Sequence, residues 1–160
     1  MKYCTKFLLV TTILMCFFNA LHAQKSWRMG VGVSAGAATT NVYGLVLGAD
    51  ARFQKGVAEN TSFIFTTGFT HFLDTDKTIS SFSYVPVKLG LKSFVNKHFY
   101  FAGEVGAGLG ISKNAGSSFI WSPSAGYSFK SIDLAVKYED FTAFETTKQI
   151  AIRLAYGFKL

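Results

Sequence analysis

The chain has little that could crosslink it or carry it through a membrane as a helix. Its two cysteines, Cys4 and Cys16, both lie within the first 23 of its 160 residues, and it has only two prolines. Charged residues make up 16% of the chain, against about 25% in ordinary soluble domains. No apolar run approaches the roughly 20 residues that a spanning helix needs. A helical membrane protein is therefore excluded, and the hydrophobic fraction of 49% excludes a disordered chain.

The first 23 residues have the three-part order of a secretory signal peptide. Lys2 and Lys6 form a basic start, residues 7–18 are almost wholly apolar, and Ala20-Leu21-His22-Ala23 offers a small-residue cleavage site. We predict cleavage after Ala23, so that removing 23 of the 160 residues leaves 137. Lys2 and Lys6 leave with the peptide, which lowers the net charge from +7 to +5, and no cysteine remains. The exported domain, residues 24–160, is therefore expected to be stable without disulfides.

This domain alternates between apolar residues and small or polar ones at every second position. Side chains in a strand alternate between two faces, so period-two patterning is typical of strands. Turn-forming residues separate the alternating segments. The sequence therefore predicts an all-β single domain, an eight-stranded antiparallel up-and-down β-barrel with strands of about 11 residues. The eight segments are 27–37, 43–54, 63–71, 85–92, 99–111, 119–129, 132–139 and 149–160.

The composition of the less apolar face decides which face points outward. A soluble barrel turns its apolar face inward and shows Thr, Lys and Glu to water, whereas a membrane barrel does the opposite. Here the less apolar face is rich in glycine, which suits the narrow lumen of an eight-stranded barrel. We therefore predict a transmembrane β-barrel with its Leu, Val and Phe side chains facing lipid. Twelve of the 15 glycines lie on the predicted inner face: Gly30, Gly32, Gly36, Gly44, Gly48, Gly68, Gly90, Gly106, Gly108, Gly110, Gly126 and Gly157.

Aromatic residues near the strand ends match the girdles that membrane barrels carry at both interfaces. We expect Tyr43 at the end opposite the termini and five others at the end that holds them: Trp27, Phe53, Phe99, Phe129 and Phe158. His71, in the outward phase, is expected near the lipid headgroups. Pro86 and Pro123 lie inside predicted strands, where proline removes a ladder donor. We expect a bulge or a local break at each.

Four stretches together resemble the small outer-membrane β-barrel domain family of Gram-negative bacteria, the porin-like kin of OmpA and OmpX. They are Tyr84-Val85-Pro86-Val87-Lys88-Leu89-Gly90, residues 99–110, Ser122-Pro123-Ser124-Ala125-Gly126-Tyr127, and Arg153-Leu154-Ala155-Tyr156-Gly157-Phe158-Lys159-Leu160. The last stretch resembles the signal that the barrel-insertion machinery reads, although it ends in Leu160 rather than Phe. The resemblance implies an outer-membrane location, contact with membrane lipid and insertion through the C-terminal strand, residues 149–160.

Charged residues in the inward phase are the candidate functional site. Lys88, Glu104, Lys137 and Arg153 fall near mid-strand, and Asp50 and Arg52 lie nearer the terminal side. A charge in a narrow lumen must be paired or hydrated. These charges could form either a salt-bridge plug around Glu104 that closes the lumen or a selectivity ring that conducts ions. We favour the plug.

The sequence contains no catalytic or cofactor pattern. His71 and His98 are the only histidines after the signal peptide, and neither has a nucleophile and an acid at suitable spacing. No metal-ligand cluster, cofactor motif or nucleic-acid patch is evident. We therefore expect no enzyme, and we favour a structural or loop-mediated interaction role in the envelope. A narrow pore for ions or small solutes, and a soluble periplasmic ligand-holding barrel, remain alternatives.

Overall fold

A computed structural model describes residues 27–39, 43–74, 82–111, 116–142 and 147–160 of the chain. The predicted signal peptide lies outside the described residues, as do residues 40–42, 75–81, 112–115 and 143–146. Among the described residues, no helix is long and apolar enough to cross a membrane. The strands are β1 (Trp27–Ala38), β2 (Tyr43–Gly56), β3 (Thr61–Asp74), β4 (Phe82–Phe94), β5 (Phe99–Gly110), β6 (Ser117–Phe129), β7 (Ile132–Phe141) and β8 (Gln149–Lys159).

The eight strands form one closed antiparallel barrel in which each strand pairs with its neighbour in sequence. β1 also pairs with β8, from Arg28 opposite Lys159 to Ala38 opposite Gln149. This pairing closes the sheet and places both ends of the described chain at one mouth, which we call the terminal mouth. The opposite end of the barrel is called the loop mouth. The predicted eight-stranded up-and-down architecture is confirmed.

The apolar face of every strand points outward. In β8, Ile152 and Leu154 are 60% and 52% exposed. The residues that alternate with them, Ala151 and Arg153, are each 2% exposed. Large apolar side chains of all eight strands are exposed in the same alternating way. Folded water-soluble monomers rarely expose a contiguous apolar surface on this scale. The inside-out arrangement predicted from the glycine-rich face is confirmed.

Inward glycines make room for aromatic rings as well as for long charged side chains. A Cβ at Gly126 would lie 2.5 Å from the ring and hydroxyl of Tyr100, and one at Gly108 would lie 2.8 Å from the ring of Phe141. Both distances are far below van der Waals contact. The glycines therefore allow the lumen to be filled by a few large side chains.

Both prolines interrupt the ladder on one side only. The β3–β4 pairing omits two pairs between Thr67–Val87 and Thr70–Tyr84, where Pro86 would pair with Gly68. The β6–β7 pairing similarly omits the Pro123 position. Register is unchanged across both gaps, so each proline causes the local break that the sequence predicted rather than a bulge.

Candidate functional site

Two apolar clusters pack inside the barrel next to its polar centre. The loop-end cluster contains Val46, Phe72, Tyr84, Ile120 and Phe141, all at 1% exposure or less. The terminal-end cluster contains Ile64, Tyr100, Ala102 and Ala135. Aromatic rings pack against one another in the loop-end cluster. The Phe72 and Phe141 ring centroids, for example, lie 6.5 Å apart in an edge-on contact. The loop-end cluster therefore closes the lumen towards the loop mouth, and the terminal-end cluster fills one side of the lumen towards the terminal mouth.

Glu139 on β7 is the acceptor at the centre of the polar layer. Its carboxylate is fully buried and forms ion pairs with Lys88 of β4 and, at 3.3 Å, with Lys137 of its own strand. The side-chain amide of Gln149 on β8 donates a hydrogen bond to the same carboxylate at 2.6 Å. Lys137 and Glu139 are two residues apart on one strand, so both point inward. Glu139 therefore ties three strands together across the lumen.

Glu104 forms a second pair with Arg52. The Arg52 Nη2 atom lies 2.8 Å from Glu104 Oε2, and Arg52 Nε donates to the Thr66 hydroxyl at 3.1 Å. The other carboxylate oxygen, Glu104 Oε1, is buried and has no hydrogen-bond partner among the described residues. The contribution of Glu104 therefore comes mainly through the guanidinium of Arg52.

Arg153 and Asp133 extend the network towards the terminal mouth. The Arg153 guanidinium donates two hydrogen bonds to the Asp50 carboxylate, with N–O distances of 2.8 and 2.5 Å. It also forms an ion pair with Asp133 at 3.4 Å. Asp133 also pairs with Lys92 at 2.5 Å and accepts a hydrogen bond from the Tyr100 hydroxyl at 2.6 Å. A forked contact of Arg with a carboxylate, such as that of Arg153 with Asp50, is geometrically specific and stronger than a neutral hydrogen bond.

All six charged residues predicted for the lumen lie inside it, but they do not gather around Glu104. The structure distributes the ion pairs over four carboxylates, and Lys88 and Lys137 bond to Glu139 instead of Glu104. Three members of the network were not among the predicted site residues, namely Lys92, Asp133 and Glu139. Each of the three lies at an inward position in the period-two pattern of its strand. That pattern is the sequence signal that identifies them as residues of the lumen.

The aromatic residues predicted for the interfaces take the expected ends of the barrel. Trp27, Phe99, Phe129 and Phe158 are exposed near the terminal mouth, and Phe53 is partly covered by Phe65, with centroids 6.3 Å apart. Tyr43 begins β2 at the loop mouth; its side chain lies outside the described residues. Lys55 lies 4.9 Å from the Trp27 ring centroid and Lys130 lies 5.3 Å from that of Phe129. Each lysine thus covers an aromatic ring at this rim.

His71 has a polar partner that sequence spacing does not reveal. Cross-strand pairing places it opposite Ser83, and its Nδ1 atom lies 2.7 Å from the serine hydroxyl. In the part of the chain that the structure describes, no acidic or amide group bonds to the second ring nitrogen, so the pair lacks the group that orients a catalytic base. Within the same ranges, no three His, Cys, Asp or Glu side chains are grouped to hold a metal ion.

The fold is shared with small outer-membrane barrels of known structure. Ail, the attachment invasion locus protein of Yersinia pestis, superposes with a TM-score of 0.58 at 16% identity, covering 84% of this chain and 99% of that one. A de novo designed transmembrane β-barrel gives a TM-score of 0.57 at 18% identity, covering 84% and 98%. OprG of Pseudomonas aeruginosa gives 0.50 at 10% identity, covering 85% and 97%. Neither a protein-family model nor the sequence of a curated protein matches the chain.

The fold and its exposed apolar surface thus define the class, a small eight-stranded transmembrane β-barrel. Identities of this size show a common fold and leave the role of the lumen to be argued from its own residues.

We expect Glu104→Gln to lower the free energy of unfolding by about 2–3 kcal/mol, because Arg52 would keep a buried charge without its carboxylate. The measurement is the urea midpoint of the barrel reconstituted in lipid vesicles, followed by tryptophan fluorescence. An unchanged midpoint for Glu104→Gln would show that the pair does not stabilise the barrel.

Proposed function

We propose that this protein is an integral protein of the outer membrane of a Gram-negative bacterium, with a closed barrel and a structural or loop-mediated interaction role. The observation that carries the proposal is the filled lumen, in which the loop-end cluster lies next to the buried ion pairs of Glu104, Glu139, Asp50 and Asp133, which we call the charge layer. A barrel sealed in this way offers stability and a display surface rather than a passage. The outer-membrane location is supported by the apolar outer surface, by the predicted signal peptide and by the fold shared with Ail and OprG.

The size of the internal space supports a closed barrel over a pore. A cavity beside the charge layer, bordered by Ser34, Asp50, Lys88 and Glu139, has a volume of about 10 Å³. That is about the space required for one water molecule. To pass through the lumen, a hydrated ion would have to displace the rings of the loop-end cluster and separate the buried ion pairs.

Two partners follow from the proposed location. The first is membrane lipid, which would contact the outward aliphatic and aromatic side chains. The second is the barrel-insertion machinery, which we propose reads the C-terminal strand, residues 149–160. Its outward residues Ile150, Ile152, Leu154, Tyr156 and Phe158 form an uninterrupted apolar row, and such a row is available for recognition before the barrel closes.

We expect the purified barrel to show no steady single-channel current in planar lipid bilayers, since the loop-end cluster and the ion pairs of the charge layer fill the lumen. Insertion is checked on the same preparation by its heat-dependent migration in detergent gels, which reports a closed barrel. The Tyr84→Ala/Phe141→Ala variant removes two rings of the loop-end cluster and leaves the ion pairs in place. We expect this variant to remain non-conducting.

A steady current in the wild type that is lost when Lys88 or Arg153 is replaced would favour the narrow pore instead. Cell fractionation tests the location independently. Recovery of the protein in the soluble periplasm would contradict the membrane proposal.

A further inference from the structure

The terminal mouth contains a half-enclosed polar pocket that the closure of the lumen does not require. It has a volume of about 50 Å³, and no residue of the terminal-end cluster lines it. A space of this size holds about three or four water molecules. We call this pocket the vestibule. Its charged lining residues are Arg28, Arg52, Lys92, Lys130, Asp133 and Arg153.

The vestibule has an excess of positive charge. Arg52 is neutralised by Glu104, Lys92 by Asp133, and Arg153 by Asp50. Arg28 and Lys130 have no carboxylate partner among the described residues; Lys130 lies over the Phe129 ring, a contact that leaves its charge uncompensated. Two positive charges at one small opening are thus left for a ligand or for water to compensate.

The backbone at Lys130 is an independent observation that points to the same place. Phe129 pairs with Ile132, so Lys130 and Ser131 form a two-residue turn, and Lys130 has a φ of 53°. Glycine, asparagine and aspartate are the residues that adopt this left-handed conformation readily, whereas other side chains are disfavoured there by about 1–2 kcal/mol. A role of the Lys130 charge in binding would explain why a lysine occupies this strained turn position.

The rim around the vestibule has the same sign of charge. Lys55, Lys97 and Lys159 lie at this end of the barrel, with Glu59 as the acidic residue of the described turns there. A cluster of one sign around an opening raises the local concentration of oppositely charged ligands. The rim would therefore attract anions to the vestibule.

We propose that the vestibule binds a phosphate-type oxyanion. Two uncompensated cations suit an anion that carries one to two negative charges at neutral pH, and arginine guanidinium groups bond to phosphate oxygens in a forked geometry. The phosphate is either a free anion on the aqueous side, with up to two negative charges, or the singly charged phosphodiester of a phospholipid headgroup in the adjacent leaflet. Both sources present phosphate oxygens to Arg28 and Lys130.

The test titrates inorganic phosphate into the folded barrel in a sugar-based detergent that has no phosphate, at low ionic strength, by isothermal calorimetry. We expect saturable binding at one site. Arg28→Gln and Lys130→Asn should each weaken it about tenfold, because each removes one charge within a few ångströms of the ligand. Lys130→Asn also suits the left-handed turn, so its unfolding midpoint should be equal or higher and a loss of binding cannot be attributed to misfolding.

Lys97→Gln is the matched control, because it removes one positive charge at the same end without lining the vestibule. It should change the phosphate affinity by less than twofold. Absence of saturable binding would overturn the proposal, and so would an equal loss in Lys97→Gln, which would show that net charge alone is responsible.

The two sources of phosphate are distinguished by a second arm in nanodiscs of phosphatidylethanolamine. If a lipid headgroup occupies the vestibule, a shifted ³¹P resonance from the lipid should appear in the wild type and disappear in Arg28→Gln, and added phosphate should not bind. If the ligand is the free anion, added phosphate should bind as it does in detergent. Either result supports a phosphate site, and neither depends on whether the barrel conducts ions.

Discussion

Replacing Glu139 by glutamine is expected to lower the free energy of unfolding by about 3–5 kcal/mol, the cost of leaving buried charges uncompensated. Lys88 and Lys137 both pair with this carboxylate, and their side chains are 3% and 9% exposed. Removal of one negative charge therefore leaves two ammonium groups facing each other inside the barrel. We expect this variant to be the most destabilising single change in the charge layer.

The measurement is the urea unfolding curve in lipid vesicles, followed by the fluorescence of the two tryptophans. Glu59→Gln removes the same charge from an exposed turn and should change the free energy of unfolding by less than about 0.5 kcal/mol. Lys88→Met in the Glu139→Gln background should recover part of the loss, because one unpaired charge is removed. Equal stability of Glu139→Gln and Glu59→Gln would show that the ion pairs of Glu139 contribute nothing to the barrel.

Leu154→Arg is expected to destabilise the membrane-inserted barrel by about 2–4 kcal/mol. Leu154 lies at the middle of β8 and points outward, opposite Val33 of β1 and Leu134 of β7. An arginine at that height would have to leave its charge in hydrocarbon or distort the bilayer. The same substitution on a barrel surrounded by water would be nearly neutral, so the result separates the two environments.

Val95→Arg is the matched control, because Val95 is also exposed but lies in the β4–β5 turn at the terminal mouth. The cost of a charge on the lipid face falls to about 0–1 kcal/mol near the interfaces. Unfolding of both variants in vesicles should therefore give a large difference between the two positions. Equal and small effects at Leu154 and Val95 would contradict a lipid-facing surface.

The sequence by itself determined the number of strands, their approximate limits and the face that each presents. The reason is that an up-and-down barrel is built from local rules. Alternation with period two sets the two faces, and turn residues separate strands that pair with their neighbours in sequence. Even the ladder breaks at Pro86 and Pro123 follow from the missing N–H of a single residue. The narrow lumen explains why glycine occupies the inner face.

Only the tertiary structure decided which inward residues meet. Glu139 and Lys88 are 51 residues apart in sequence, and Arg153 and Asp50 are 103 apart. Their contacts depend on the closure of β8 on β1 and on the tilt of the strands, which sequence spacing does not contain. The same closure brings Arg28 and Arg153 to the pocket at the terminal mouth that Lys130 also lines, whereas the register of the β3–β4 hairpin places His71 against Ser83. The sequence thus determined which side chains point inward, and the geometry of the closed barrel determined their partners.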